Sequence, residues 1–367
     1  MNTIPFLSLN YQHEVIQEQV TKSLTAVFKK NWFILGKELE SFEAEFSNYV
    51  GTTYTIGVGN GLDALTIALL SCGITKGDEV IVPAHTYLAT WLAVSRTGAT
   101  IIPVEPFART YNIDTSRIES VISSKTKAII PVHMYGQASD MTTLDTIARK
   151  YNLFIIEDNA QAHGSSWLEK KTGSYGVMNA TSFYPTKNLG ALGDGGAITS
   201  NDTLKVEFCK RYRNYGFEQK HIGLEQGVNS RLDEMQAAVL RIKLKYLKDW
   251  NEQRRQLASQ YLMELKEVGD IILPLSDKEA YHVYHLFVIR AAQRDKLKEH
   301  LMHKGIESMI HYPIPPHLQK TYAELKLNKG SFPITENIAE TILSLPLWPG
   351  MTTDQISFIC NSIKKFF

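Results

Sequence analysis

The chain has 367 residues, of which 44% are hydrophobic, 21% charged and 10% aromatic; that is ordinary globular composition, long enough to bury a large core without metals or disulfides. Thirty-nine Lys and Arg against thirty-eight Asp and Glu give a formal charge of +1, which argues against a nucleic-acid coat or a polybasic membrane anchor. Cys72, Cys209 and Cys360 are far apart and form no CxxC, so a disulfide framework, a zinc knuckle and an iron–sulfur cluster are excluded, and reduced structural thiols are expected.

No targeting segment is visible, because the first basic residue is Lys22 and no charged stretch leads into an apolar run. The most apolar long stretch, His85 to Val104, is broken by Arg96 and Gly98 and carries Pro103 near its end. It does not read as a spanning helix, and a cytoplasmic location is expected.

Strand-like and helix-like segments alternate through the first two thirds. Tyr54–Val58 has period-two apolar residues and leads into Leu62, Leu65 and Leu69 at helical spacing. Glu79–Val82 reads as a buried strand, followed by a helix from Thr86 to Ser95. Lys127–Val132 is a further strand despite Pro131, a helix covers Thr142–Tyr151, and Leu153–Ile156 runs into Glu157 and Asp158. Thr181–Tyr184 and Gly196–Thr199 complete the set. All-apolar strands alternating with helices imply an α/β fold with a mostly parallel sheet covered on both faces.

From Asp233 to Leu265 one helical register takes over, with Val239, Ile242, Tyr246 and Trp250 on one stripe and Lys243, Lys245, Lys248, Arg254 and Arg255 elsewhere. Such a helix spans roughly 50 Å and reads as a domain bridge with a solvated basic face. Strand His282–Arg290, helix Arg294–Lys304 and the proline-rich turn His311–His317 follow. We expect a large domain over 1–250, with an N-terminal arm, and a smaller α/β domain over 251–367.

Chemistry concentrates in three segments. Ser182-Phe-Tyr-Pro-Thr-Lys187 ends a strand and precedes four glycines between Gly190 and Gly196, which permit close backbone approach to a bulky ligand. The lysine there is either an ordinary surface residue or an amine made neutral and positioned to condense with an aldehyde. Asp158 lies past a parallel-type strand, where ligands gather; it is either a turn or N-cap residue or a partner for a protonated pyridine nitrogen. Gln161 and His163, just beyond, are polar loop residues or cofactor contacts. Gly57-Val-Gly59-Asn-Gly61-Leu62 joins a strand to a helix, offering N–H groups and the positive helix end to a phosphate. It is no dinucleotide fingerprint, since the third glycine falls at Leu62, and it lacks the lysine of a P-loop. His282 with His285, and His300 with His303, lie three apart without HExxH, so no metal site is expected.

Together these segments resemble the DegT/DnrJ/EryC1/StrS family of pyridoxal-phosphate (PLP)-dependent nucleotide-sugar aminotransferases. The likeness runs through Trp32–Gly36, Gly59–Leu65, Pro83–Tyr87, Glu157–Gly164, the Lys187 segment and Gly227–Ala238. It implies PLP fold type I, an aspartate-aminotransferase-like homodimer. Lys187 would bond to the cofactor and later move a proton at the substrate carbon; Asp158 would keep the pyridine nitrogen protonated; Tyr87 would lie against the ring. Gln161 would contact the phenolic oxygen, and Ser182 with the backbone at Gly61 and Leu62 would bind phosphate, joined by Asn229 from across a dimer interface. Leu62 departs from the threonine of many relatives, where a backbone contact suffices.

Relatives that dehydrate sugars have lost the lysine or carry cluster-binding cysteines, so the resemblance favours transamination, from L-glutamate to a nucleotide-linked ketosugar. Arg213–His221 and Gly227–Arg231 look most like members that aminate C3 of dTDP-linked 3-keto-6-deoxyhexoses. Arg213, Lys220, His221 and Arg231 would then meet the diphosphate, and His311 and Tyr312 the sugar; the plain reading is a solvated basic loop and a structural turn. A 4-ketosugar aminotransferase, a PLP-dependent sugar dehydratase and a non-catalytic PLP-fold regulator are the alternatives.

Overall fold

The structure, a computed structural model, describes residues 3–367. Seven strands form the main sheet: β1 (Tyr54–Val58), β2 (Glu79–Pro83), β3 (Thr100–Val104), β4 (Thr126–Ile129), β5 (Phe154–Asp158), β6 (Met178–Ser182) and β7 (Gly196–Ser200). Their order is β1-β7-β6-β5-β4-β2-β3. The pairs from β3 through β6 are parallel, whereas β7 runs antiparallel to both of its neighbours. The sheet is therefore mostly parallel, as its apolar strands imply.

Helices α1 (Asn10–Lys30), α2 (Lys37–Val50), α3 (Gly61–Ser71), α4 (Leu88–Thr97), α5 (Met141–Tyr151) and α6 (Thr203–Tyr212) belong to this part of the chain. One large core joins Val58, Ile67, Val80, Trp91, Ile156 and Ile198 from β1, α3, β2, α4, β5 and β7. Pro131 ends β4 early, since a proline offers no N–H to the ladder; its carbonyl still accepts from Asp158 N at 2.9 Å. That bond ties the chain after β4 to the end of β5, where the site lies.

Helix α7 (Glu234–Glu264) is one unbroken run of 31 residues. Residues 250/251, the expected domain boundary, fall inside it. Beyond that point Leu257, Ala258, Tyr261 and Leu265 enter a second core with Phe287, Leu301, Leu343 and Ile359. This core holds α8 (Arg294–His303), α9 (Pro333–Thr341), α10 (Thr353–Lys364) and the antiparallel pair β8 (Phe287–Arg290) and β9 (Ile342–Leu345). The expected strand from His282 starts only at Phe287. Residues before it are claimed by the large domain: Val283 N donates to Gly136 O and Leu286 N to Tyr135 O. Nor is the basic side of α7 wholly solvated. Lys243, 4% exposed, donates to Gly190 O in the loop after Lys187, and Arg254 is buried on the carbonyl of Leu347.

The start of α7 also sets the start of α2. Gly36 caps α2 without a side chain to offer, and the buried Glu234 carboxylate accepts instead from the N–H groups of Gly36, Glu38 and Leu39 at 2.9–3.0 Å. A Cβ at Gly36 would meet Glu234 Oε2 at 2.7 Å, so the glycine makes room for its own cap. Glu234→Ala leaves three donors unpaired and should cost about 3 kcal/mol, read as a lowered urea midpoint at constant slope. A loss below about 0.5 kcal/mol would contradict this role.

Candidate active site

The carboxyl ends of β5 and β6, the β1–α3 junction and the start of α4 enclose a cleft of about 690 Å³. Segments 285–286 and 309–312 close it from the small-domain side. Its lining includes Gly61, Leu62, Tyr87, Asp158, Gln161, Ser182, Lys187, His311 and Tyr312, so nine of the residues singled out in the sequence come together here.

Asp158 ends β5 and is 5% exposed. Its Oδ2 accepts from Thr90 Oγ1 at 2.9 Å and its Oδ1 from Ala160 N at 3.2 Å. Thr86 and Thr90, one turn apart, share a 2.9 Å contact; because Thr90 spends its proton on Asp158, Thr86 is the donor in that pair. Burial pushes the Asp158 carboxyl up from its ordinary value, while Thr90, Ala160 N–H and the charge of Lys187 pull the other way. Beneath it, the buried Glu157 binds His133 Nε2 at 2.7 Å and the N–H groups of Gly173, Tyr175 and Gly176. Burial opposes its charge, but those donors hold its carboxyl below the usual range.

Lys187 follows β6 in a tight turn, its N–H donating to Tyr184 O at 2.8 Å. Its side chain is half-buried in the cleft wall and forms no hydrogen bond with another described residue. Burial lowers its ammonium to about 8, against the raising effect of Asp158. Such an amine yields its proton near neutrality, as a nucleophile requires.

At the β1–α3 junction Asn60 caps the helix, accepting from Asp63 N at 2.8 Å. The N–H groups of Gly61 and Leu62 have no protein acceptor among the described residues. A Cβ at Gly61 would stand 2.7 Å from Ser182 Cβ, so only glycine lets the helix start abut Ser182. Two free N–H groups, a hydroxyl and a helix start form an anion cradle. Gln161 Oε1 accepts from Tyr135 N at 2.7 Å, and its Nε2 donates to Tyr312 Oη at 3.0 Å. The Tyr312 ring lies 5.2 Å from that of Tyr87, which is 56% exposed and faces the cleft.

The second group of residues lies elsewhere. Arg213 is buried on Glu43 Oε1 (2.6 Å) and Gly57 O (2.7 Å), pinning β1 to α2. Arg231 holds Asn214 Oδ1 at 2.9 Å. Lys220 and His221 sit on the exposed hairpin Phe217–Gln219/Ile222–Gly223, and Asn229 is exposed beside it. None of the five lines the cleft of its own chain. His282 and His285 are buried on separate partners, the Tyr284 N–H and Asn188, and no group of three His, Cys, Asp or Glu gathers for a metal among the described residues. No helix among them is long and apolar enough to cross a membrane.

Thr90, Tyr184, Thr186 and Met309 also line the cleft and carried no role in the sequence, and His285, weighed there only as a metal ligand, lines it too. Thr86 and Thr90, hydroxyls four apart in an apolar helical stretch, were a usable signal, as was the nearness of Tyr184 and Thr186 to Lys187; His285 and Met309 lie here through long-range packing.

Residues 14–364 match the DegT/DnrJ/EryC1/StrS aminotransferase family. The chain belongs to that family. A dTDP-3-amino-3,6-dideoxy-alpha-D-galactopyranose transaminase of Aneurinibacillus thermoaerophilus is 48% identical over 99% of both chains. The crystal structure of S. venezuelae DesV in complex with a ketimine intermediate superposes with a TM-score of 0.98 at 43% identity, covering 100% of this chain and 99% of that one. The structure of NtdA from Bacillus subtilis with bound pyridoxamine phosphate (PMP) gives 0.91 at 34% identity, covering 100% of this chain and 86% of that one. The fold is PLP fold type I, and the protein is a PLP-dependent aminotransferase of this family. Its cleft fits that cofactor: a buried carboxylate opposite a lysine of lowered pKa, and an anion cradle that a Cβ would fill.

Proposed function

We propose that this aminotransferase moves the amino group of L-glutamate to C3 of a dTDP-linked 3-keto-6-deoxyhexose, giving a dTDP-3-amino-3,6-dideoxyhexose. The observation that carries the reading is the full-length match to a relative named for that class of product, on a chain whose cleft keeps both Lys187 and Asp158. The bound cofactor supplies an aldehyde for amines to join and a ring that accepts electrons from the substrate carbon. Lys187 holds the cofactor at rest, then, as a free amine, takes and returns the proton at the reacting carbon. Asp158, fixed by Thr90 and Ala160, keeps the ring nitrogen protonated. Tyr87 covers the ring face, Gln161 donates to its phenolic oxygen, and Ser182 with the N–H groups of Gly61 and Leu62 takes the phosphate. His311 and Tyr312 face the sugar.

Incubation with a dTDP-3-keto-6-deoxyhexose and L-glutamate should yield an amine located at C3 by NMR. Faster turnover of the 4-keto isomer, with the amine at C4, would overturn the assignment. Cofactor binding with no turnover of either would move the amino acceptor to another ketosugar nucleotide.

The active unit in this reading is a homodimer in which Asn229 reaches the neighbour's phosphate and Lys220, His221 and Arg231 belong to the segment facing the neighbour's substrate, which Arg213, buried on Glu43 and Gly57, braces from within its own chain. Support comes from the placement of all five outside their own cleft, beside exposed Tyr215, Ile222, Leu224 and Val228. Mixing Lys187→Ala with Asn229→Ala chains should restore activity, because one site of each mixed dimer is then intact. A fully active monomer would contradict the sharing.

A further inference from the structure

Hydrogen-bond direction can be followed through three buried side chains behind Lys187, those of Asn251, Asn188 and His285. Asn251 approaches the backbone carbonyl of His163 at 2.8 Å; a carbonyl only accepts, so the amide nitrogen of Asn251 must face it. The oxygen of Asn251 then faces Asn188 and must receive from Asn188 Nδ2, at 2.8 Å. The same nitrogen also reaches Val283 O at 3.2 Å, which confirms it as the donor end. Asn188 Oδ1 is therefore an acceptor, and the His285 Nδ1 that lies 3.1 Å from it must carry a proton.

That fixes the tautomer. With Nδ1 protonated, the Nε2 of a neutral His285 bears a lone pair. Burial, the charges of Lys187 and Arg254, and the neighbouring His163 and His311 all disfavour a second proton. The Nε2 atom has no partner among the described residues, yet it is not among the sealed orphan atoms. His285 lines both the cleft that holds Lys187 and the adjoining cavity of about 430 Å³ beneath Phe6 and Leu7. A fixed acceptor thus stands on the wall shared with an amine that has no hydrogen bond of its own.

We propose that His285 is a positioning residue for Lys187, its Nε2 standing ready to receive a hydrogen bond from the lysine amine when that amine swings away from the cofactor after release. The contact keeps the freed amine in the cleft between the two half-reactions and requires no proton to leave Lys187. The proposal rests on the reading of Lys187 as the reacting amine, and deepens it.

Two variants separate this role from simple packing. His285→Asn keeps a donor for Asn188 but removes the acceptor at the ε position, whereas His285→Gln can present both. A neutral acceptor favours the charged form of Lys187, so removing it lowers the lysine pKa; Asp158, the charged group facing Lys187, and the neutral His163 and His311 beside it are unchanged in both variants. Competitive acetylation of the cofactor-free full-length chain, read at the Lys187 peptide across pH, should show the midpoint fall by about one unit in His285→Asn and recover at least half of that shift in His285→Gln. In native protein labelled with ¹⁵N-histidine, the His285 ring, assigned through its own backbone connectivity, should show a protonated Nδ1 and an unprotonated Nε2. A midpoint unmoved in His285→Asn, or a proton found on Nε2, would overturn the proposal, and the spectrum answers even if neither variant folds. Failure of Lys187 to capture PLP in the native protein would instead overturn the functional reading, a result distinct from both.

Discussion

Lys187→Ala should reduce kcat/KM for amino transfer by roughly 10⁴-fold or more, about 5 kcal/mol of lost transition-state stabilisation. The change removes both the anchor for the cofactor at rest and the group that moves the proton. Nothing else in the cleft can replace it: Lys187 is its only lysine or arginine, and His311 and His285 are held neutral by burial. The fold should survive, because the Lys187 side chain makes no hydrogen bond with another described residue, while the backbone turn is held by the Tyr184 carbonyl and by Asn188. Circular dichroism and the urea midpoint should match the native protein. Retention of more than about a tenth of the native rate would remove Lys187 from the mechanism.

Asp158→Asn should cost roughly 10²- to 10³-fold in kcat/KM while preserving shape, the range expected when one partner of a buried charge pair is removed. The amide cannot hold a ring proton as a carboxylate does. It also disturbs the local bonding. Ala160 N–H can only donate, so the Asn oxygen must face it and the NH2 must face Thr90. Thr90 would then become an acceptor, reversing the Thr86–Thr90 pair that now leads toward the carboxylate. Asp158→Glu would keep the charge, but its extra methylene has little room at the buried end of β5 and should restore only part of the rate. Steady-state kinetics with cofactor at saturation separate this loss from weaker cofactor binding. A variant as active as the native enzyme would show that Asp158 does not serve the ring nitrogen.

Much of this site was legible in the sequence, because its parts are local. Asp158 ends an all-apolar strand, Lys187 follows a strand and precedes glycines, and Gly61 opens a helix after another strand; each position follows from short-range pattern and the rule that ligands gather at strand ends. The long helix was likewise readable to within one residue at each end. What the pattern could not carry was pairing between distant segments. The insertion of β7 between β1 and β6, antiparallel to both, depends on partners that no local window contains. Residues 282–286 alternate like a strand, but the N–H groups of Val283 and Leu286 go to Gly136 and Tyr135, and that of Tyr284 to the His282 ring. The burial of Lys243 and Arg254 follows from carbonyls more than 50 residues away in sequence. Arg213 looked like a cation for a diphosphate, yet its own chain uses it to hold Glu43 and Gly57.

Covalent capture at a single lysine tests the central claim most directly. The native protein, loaded with PLP, should absorb in the visible range, lose that colour on borohydride reduction, and yield one cofactor-bearing peptide containing Lys187. A cofactor adduct on any other lysine, or none in fully loaded protein, would contradict the account.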